Sequence, residues 1–308
     1  MAQSLGDSDR IYPVPVPSTE PETLEVPLPG VRLSCLAWGP PEGPLVVALH
    51  GFPDTAWTWR HLGPYLATRG HRVVAPFLRG YAPSGLADSY HVGALMADAV
   101  ALFGELDGDE RTVLVGHDWG AITANALGAH PDSPYRRIAA LAVPPLGAMT
   151  GAPARLIPRQ LRLSWYTAFN QLPLLPERTV DRWLPRLWRD WSPGYDAAED
   201  VSLVHAAWPS RAHVGAAVGY YRALRSPWRV PAPYRSWART LQGVPTVPLL
   251  VLHGADDGCL QAAYAEHAAT TLPDTARFEL VAGAGHFLQV ERPDVVNELV
   301  ADFIADGG

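Results

Sequence analysis

Val115-Gly116-His117-Asp118-Trp119-Gly120-Ala121 follows directly on the apolar run Thr112-Val113-Leu114-Val115. A β-rich run that ends in small-x-nucleophile-x-small and passes at once into a helix reads as a nucleophile elbow, in which glycines relieve crowding around one strained, exposed side chain. Serine is the usual occupant of the centre, and here it is aspartate. A serine that attacked a saturated carbon would leave an inert ether, whereas a carboxylate leaves an ester that water can cleave. An unperturbed Asp titrates near ~3.9, so the group is anionic at neutral pH without a base to help it. The elbow therefore predicts a hydrolase that acts on an electrophilic sp3 carbon. The plain alternative is a strand-to-helix turn whose Asp only caps the helix.

The surrounding composition suits such an enzyme. The chain has 308 residues, of which 48% are hydrophobic and 18% charged, enough for one large domain or one domain with a substantial insertion. A net charge of -7 provides no basic stripe for nucleic acid and no polybasic segment for an anionic membrane, so neither partner is expected. All 24 basic residues are Arg, which removes any lysine Schiff-base chemistry. Cys35 and Cys259 lie far apart without metal or redox spacing and are expected to be free thiols. The stretch 1–21 is polar and proline-punctuated, without the basic start and apolar core of a signal peptide. No later run has the length of a membrane span, and a cytoplasmic protein is expected.

Outward from the elbow, short apolar runs alternate with helical patterns. The runs are Pro44-Leu45-Val46-Val47-Ala48-Leu49, Arg72-Val73-Val74-Ala75-Pro76-Phe77 and Ile138-Ala139-Ala140-Leu141-Ala142-Val143, with helices expected over 56–68, 90–106 and 121–129. In 90–106 the apolar residues Val92, Met96, Val100, Phe103 and Leu106 recur at helical spacing. This is the pattern of an α/β fold with a mostly parallel central sheet flanked by helices, entered by an antiparallel hairpin around Pro29-Gly30. The alternation stops near Pro144 and resumes at Val247-Pro248-Leu249-Leu250-Val251-Leu252. The interval holds seven of the eleven tryptophans and no buried-strand run, and predicts a helical insertion over the carboxyl edge of the sheet, where open α/β sheets bind ligands. The expected organisation is a core of 22–145 and 241–305, a helical cap at 146–240, and an N-terminal extension at 1–21.

Further segments fall in loops after predicted strands and could converge on Asp118. His50-Gly51-Phe52-Pro53 could aim backbone N–H groups at an oxyanion. Gly254-Ala255-Asp256-Asp257 supplies two carboxylates, one of which could orient a histidine, and Gly283-Ala284-Gly285-His286-Phe287 supplies that histidine. The order nucleophile, acid, histidine is the one expected of this architecture.

Taken together, these segments make the chain similar to the α/β-hydrolase fold proteins with a helical cap, and specifically to the soluble epoxide hydrolases. The resemblance runs from about residue 22 to 305 and includes Arg79-Gly80-Tyr81 with Ser84, after the fourth strand. It makes Asp257 rather than Asp256 the catalytic acid. It also matches Ser164-Trp165-Tyr166-Thr167 and Gly219-Tyr220-Tyr221-Arg222 to the family's two cap-tyrosine segments. By this resemblance Asp118 is the nucleophile, His286 with Asp257 activates water, and Tyr166 and Tyr221 stabilise the leaving alkoxide. The backbone N–H groups of Phe52 and Trp119 form the oxyanion hole. His50, Pro53 and Trp165 are expected to line the pocket for a small apolar epoxide, with no metal or organic cofactor. Two rivals remain. A haloalkane dehalogenase would use the same Asp and the Trp119 indole, but Phe52 stands where that group commonly has an Asn. A non-catalytic receptor on the same fold would have no need of an acid-histidine pair.

Overall fold

The apolar runs form one eight-stranded sheet in the computed structural model, which describes residues 20–226 and 229–306. The strands are β1 (Glu22–Leu28), β2 (Val31–Trp38), β3 (Leu45–Leu49), β4 (Arg72–Pro76), β5 (Val113–His117), β6 (Arg137–Leu141), β7 (Leu249–Gly254) and β8 (Ala276–Val281). Their order is β1-β2-β4-β3-β5-β6-β7-β8. Only β2 runs against its neighbours, and all pairings from β4 to β8 are parallel. Every residue of β3, β4, β5 and β7 is buried, which is why these strands read as continuous apolar runs, whereas the edge strand β8 is half exposed.

The helices that follow the strands are α1 (Leu62–Ala67), α2 (Val92–Glu105) and α3 (Trp119–Gly128). Between β6 and β7 come α4 (Ile157–Leu163), α5 (Trp165–Phe169), α6 (Leu175–Arg178), α7 (Val180–Trp191), α8 (Ala198–Ala207) and α9 (Arg211–Leu224). The chain ends with α10 (Ala262–Ala269), α11 (Leu288–Glu291) and α12 (Pro293–Ala305). Helix α1 packs with α12, and α2 with α3. This is an α/β-hydrolase fold, as the sequence predicts. No strand interrupts the described residues between β6 and β7.

Two expectations need correction. The single helix over 56–68 is instead a 3-10 turn at Ala56–Trp59 followed by α1. Pro64 has no N–H to give an interior turn and fits only in the first turn of a helix, so the helix cannot begin much before Leu62. In α2 the buried face runs through Val92, Leu95, Met96, Ala99 and Leu102, while Val100, Phe103 and Leu106 are only half-buried. The face is thus centred on Leu95, Ala99 and Leu102, and Val100, Phe103 and Leu106 pack against the core at its margin. The expected extension at 1–21 lies, but for residues 20 and 21, outside the described residues.

Helix α7 shows why the inserted segment faces inward. Trp183, Leu184, Leu187, Trp188 and Trp191 recur at i, i+1, i+4, i+5 and i+8, so one apolar stripe is buried and Arg and Asp residues fill the other side. Trp188 stacks on Phe287 of the core with ring centroids 3.5 Å apart, and its indole N–H donates to the carbonyl of Pro53 at 3.0 Å.

Candidate active site

Three loops at the carboxyl edge of the sheet bring the site together: Asp118 follows β5, Asp257 follows β7 and His286 follows β8. Asp118 adopts φ 50° and ψ -111°, a left-handed conformation that costs a non-glycine residue energy. The flanking glycines make the sharp turn possible. A Cβ on Gly116 would lie 2.2 Å from the Gly120 carbonyl oxygen, and one on Gly120 would lie 2.1 Å from that of Leu49. The carboxylate is thereby raised from the sheet edge. Its Oδ1 accepts the backbone N–H of Phe52 at 2.7 Å, and Oδ2 lies 3.6 Å from Nε2 of His286. Trp119 opens α3, where the first backbone N–H groups have no partner within the helix.

His286 is fully buried. Its Nδ1–H donates to Oδ2 of Asp257 at 2.9 Å, and Oδ1 of Asp257 accepts the N–H groups of Cys259 at 2.6 Å and Leu260 at 2.9 Å. Nε2 has no hydrogen-bond partner and faces Asp118. Burial pulls the imidazole pKa down, but the charge of Asp257, together with Asp118, outweighs it and raises the pKa to about 10. Two other buried histidines stand close. His117 donates from Nε2 to the His286 carbonyl at 2.9 Å, and burial lowers its pKa to about 3, so it is neutral. His253 donates to the Leu260 carbonyl at 2.9 Å and is likewise held below its usual range by burial.

Tyr166 on α5 and Tyr221 on α9 meet edge to face above this group, with ring centroids 5.5 Å apart at 89°. The Tyr166 hydroxyl lies 3.3 Å from Sγ of Cys259. Tyr221 sets its ring against those of Phe52 and Trp119, each at 5.0 Å. Burial pushes both phenol pKa values well above 10, so both hydroxyls keep their protons. Asp118, Tyr166, Tyr221 and Cys259 line one cavity of about 400 Å³, whose remaining wall includes Val143 and Met149. Asp257, Cys259 and His286 also offer potential metal-ligand atoms within 4.8 Å of one another. The histidine and carboxylate among them are bonded to each other.

A family model described as the alpha/beta hydrolase fold matches residues 44–293. The chain belongs to this family and is epoxide hydrolase-like. The AB hydrolase superfamily protein YfhM of Bacillus subtilis (strain 168) is 30% identical to this α/β-hydrolase over 89% of this chain and 95% of its own. Epoxide hydrolase A of Mycobacterium tuberculosis (strain ATCC 25618 / H37Rv) is 32% identical over 89% of this chain and 94% of its own. Among solved structures, Epoxide Hydrolase A from Mycobacterium thermoresistibile aligns with a TM-score of 0.71 and 27% identity, covering 92% of this chain and 98% of its own.

Three residues expected to line the pocket of this α/β-hydrolase lie elsewhere. His50 is fully buried behind the loop, with Nδ1 bonded to the Gly51 carbonyl at 2.8 Å and Nε2 accepting the Leu78 N–H at 3.0 Å. Both ring nitrogens are taken by backbone, and His50 shapes the loop that presents Phe52. Pro53 faces α7, where Trp188 uses its carbonyl. Trp165 lies against Phe169, at 5.7 Å, and under Arg186, at 5.1 Å. The wall is formed instead by the next residue, Tyr166, because consecutive positions on a helix point about 100° apart. Of the two acidic candidates, Asp256 is exposed and Asp257 is buried against His286. The sequence marks Cys259 only as a free thiol. Its spacing of two from Asp257 was the available signal that it belongs to the site.

Proposed function

We propose that this protein hydrolyses an apolar epoxide to a vicinal diol through a covalent ester on Asp118. The observation that carries the reading is a carboxylate at the base of an apolar cavity whose wall also holds two buried, protonated phenols. An epoxide opens to an alkoxide, a poor leaving group that needs a strong hydrogen bond or a proton as the bond breaks. Asp118 attacks a ring carbon from the side opposite the breaking carbon-oxygen bond, and the ring oxygen takes the electron pair between Tyr166 and Tyr221. The family relationship to proteins named epoxide hydrolases agrees with this assignment.

The proton balance gives His286 two duties. In the free enzyme it is an imidazolium between two carboxylates. Esterification removes the charge of Asp118, one of the two that hold the imidazole pKa up. The proton is then released and ends on the alkoxide, leaving His286 neutral beside Asp257. Neutral Nε2 accepts a proton from water as that water attacks the ester carbonyl carbon. The backbone N–H groups of Phe52 and Trp119 hold the oxyanion. Collapse breaks the acyl-oxygen bond, the departing diol oxygen takes the proton from His286, and the new carboxyl proton returns to the imidazole. No charge is left over at the end of the cycle.

One feature favours a second reading, a haloalkane dehalogenase. The indole N–H of Trp119 is buried, close enough to the Tyr221 hydroxyl to interact with it, and could hold a halide. Against it, a halide leaves without a proton and has no use for two phenols, and Phe52 has no side-chain donor. A receptor of the same fold would bind without turnover. A single turnover of an aryl epoxide in oxygen-18 water separates these readings. Label is expected in the peptide carrying Asp118 and not in the first diol formed. Label in that first diol would mean that water opens the ring directly.

A further inference from the structure

The carboxylate of Glu291, at the end of α11, holds the turn that carries His286 from both sides. Its Oε2 accepts the N–H of Gly285 at 2.8 Å and its Oε1 that of Phe287 at 3.0 Å. Oε1 also accepts the hydroxyl of Ser192, the residue directly after α7, at 2.5 Å. The N–H between these two, that of His286 itself, donates to the carbonyl of Trp191 at 3.0 Å, and the same carbonyl accepts the N–H of Gly258 at 3.1 Å. Gly258 directly follows Asp257. Three consecutive N–H groups of the histidine turn and one in the acid loop are thus held by Glu291 or by the last residue of α7.

Packing bears out the same junction independently of these bonds. A Cβ on Gly258 would lie 1.9 Å from the Asp190 carbonyl oxygen, and one on Gly285 would lie 2.6 Å from both Cα of Ser192 and the carbonyl oxygen of Trp191. Two glycines, one in each catalytic loop, admit the same end of α7. The Trp191 ring completes the contact, edge-on to the His286 imidazole at 4.9 Å and to Tyr166 at 4.7 Å.

We propose that Glu291 is a positioning residue which, with Trp191 and Ser192, couples the inserted helical segment to the aim of His286, so that cleavage of the ester depends on it more than ring opening does. The proposal rests on the ester mechanism above. Ring opening uses Asp118 and the two phenols, none of which Glu291 touches, and His286 gives up its proton to the alkoxide only after the ester has formed. Ester cleavage needs Nε2 directed at one water in line with the acyl carbon, and misplacing such a base by about 1 Å can cost on the order of a hundredfold.

Glu291→Gln keeps the size of the side chain but turns one acceptor into a donor that faces backbone N–H groups. Ser192→Ala removes the hydroxyl that joins α7 to Glu291 and that also accepts the Phe287 N–H at 3.3 Å, and Glu291→Asp restores the charge with shorter reach. Rapid-quench kinetics with an aryl epoxide, read by intact mass, follow ester formation and ester decay separately. E291Q is expected to slow decay by about tenfold to a hundredfold while formation stays within about threefold, so that ester accumulates. S192A should give the same pattern more weakly, and E291D should recover part of the loss. Equal slowing of both steps, or unchanged decay in folded E291Q and S192A, would overturn the proposal. If E291Q does not fold, S192A alone decides by the same ratio. Absence of ester in the wild type would instead overturn the mechanism itself, and the clamp with it.

Discussion

The neighbours of His286, rather than its solvation, pull its imidazole toward the charged form. Burial alone would strip its proton, and the two carboxylates at 2.9 and 3.6 Å restore it. A sign follows for stability. The imidazole pKa is raised in the folded state above its unfolded value of ~6.5, so the group stabilises the fold fully below that value and the benefit is lost as pH rises through about 10. Asp118→Asn removes one of the two charges. Its imidazole should titrate at lower pH in an NMR titration than that of the wild type, and its thermal midpoint should fall less between pH 7 and pH 10. An Asp118→Asn protein in which the His286 titration does not move would show that Asp257 alone sets it, and the proton that the proposed mechanism delivers to the alkoxide would have to come from elsewhere. The two phenols differ as well. Tyr166 shares its hydroxyl with the Cys259 thiol, a weak partner that is cheap to give up to a stronger acceptor.

Among the elements, the elbow is where local backbone and chemistry depend most on each other. Gly120→Ala would press a Cβ to 2.1 Å from the Leu49 carbonyl oxygen, and β3 is too tightly held to yield. It should cost about 3 kcal/mol or more. Gly104 in α2 is the contrast: nothing lies within 4 Å of its would-be Cβ, and Gly104→Ala should stabilise by about 0.5–1 kcal/mol through helix propensity. Chemical denaturation of the two variants checks both signs, and equal effects would mean that the elbow tolerates a side chain. The same contrast explains what the sequence made legible. Fully buried parallel strands are apolar for most of their length, and residues that follow them reach one edge, so type and order mark Asp118, His286 and the pair Asp256 and Asp257, while the choice of Asp257 within that pair comes from the family resemblance. In α2 the buried face is centred slightly to one side of the stripe that the sequence marks, whose half-buried members still pack against the core. Glu291, Ser192 and Cys259 escaped notice because their partners are backbone groups or distant side chains, and no local pattern records such contacts. His50, Pro53 and Trp165 were misplaced because adjacency in sequence to a site residue does not fix which way a side chain points.

For the molecule as a whole, the inserted helices are tied to the sheet by polar bonds as well as by apolar contact. Arg60, beyond β3, pairs with Asp200 of α8 at 2.8 Å, and Tyr195 donates to the same carboxylate at 2.8 Å. Tyr220 of α9 donates to the Arg79 carbonyl at 2.8 Å, and Trp188 of α7 to that of Pro53. Breaking one buried tether should therefore loosen both parts together rather than release the insertion alone. Asp200→Asn is the suitable test, because Asp200 is only 2% exposed and joins two of these contacts. Arg60 keeps some contact with water, its side chain being 17% exposed, and Asp54 stays close enough to interact with it. The expected loss is accordingly about 2–3 kcal/mol, below that of a fully buried charge left alone. Seven of the eleven tryptophans lie in 146–240, so fluorescence reports chiefly on the insertion while far-UV circular dichroism reports on the whole chain. In urea the two signals should shift together in D200N and keep coincident midpoints. A fluorescence transition that moved ahead of the dichroism would mean that the inserted helices unfold on their own, and that the tether serves only to close them over the site.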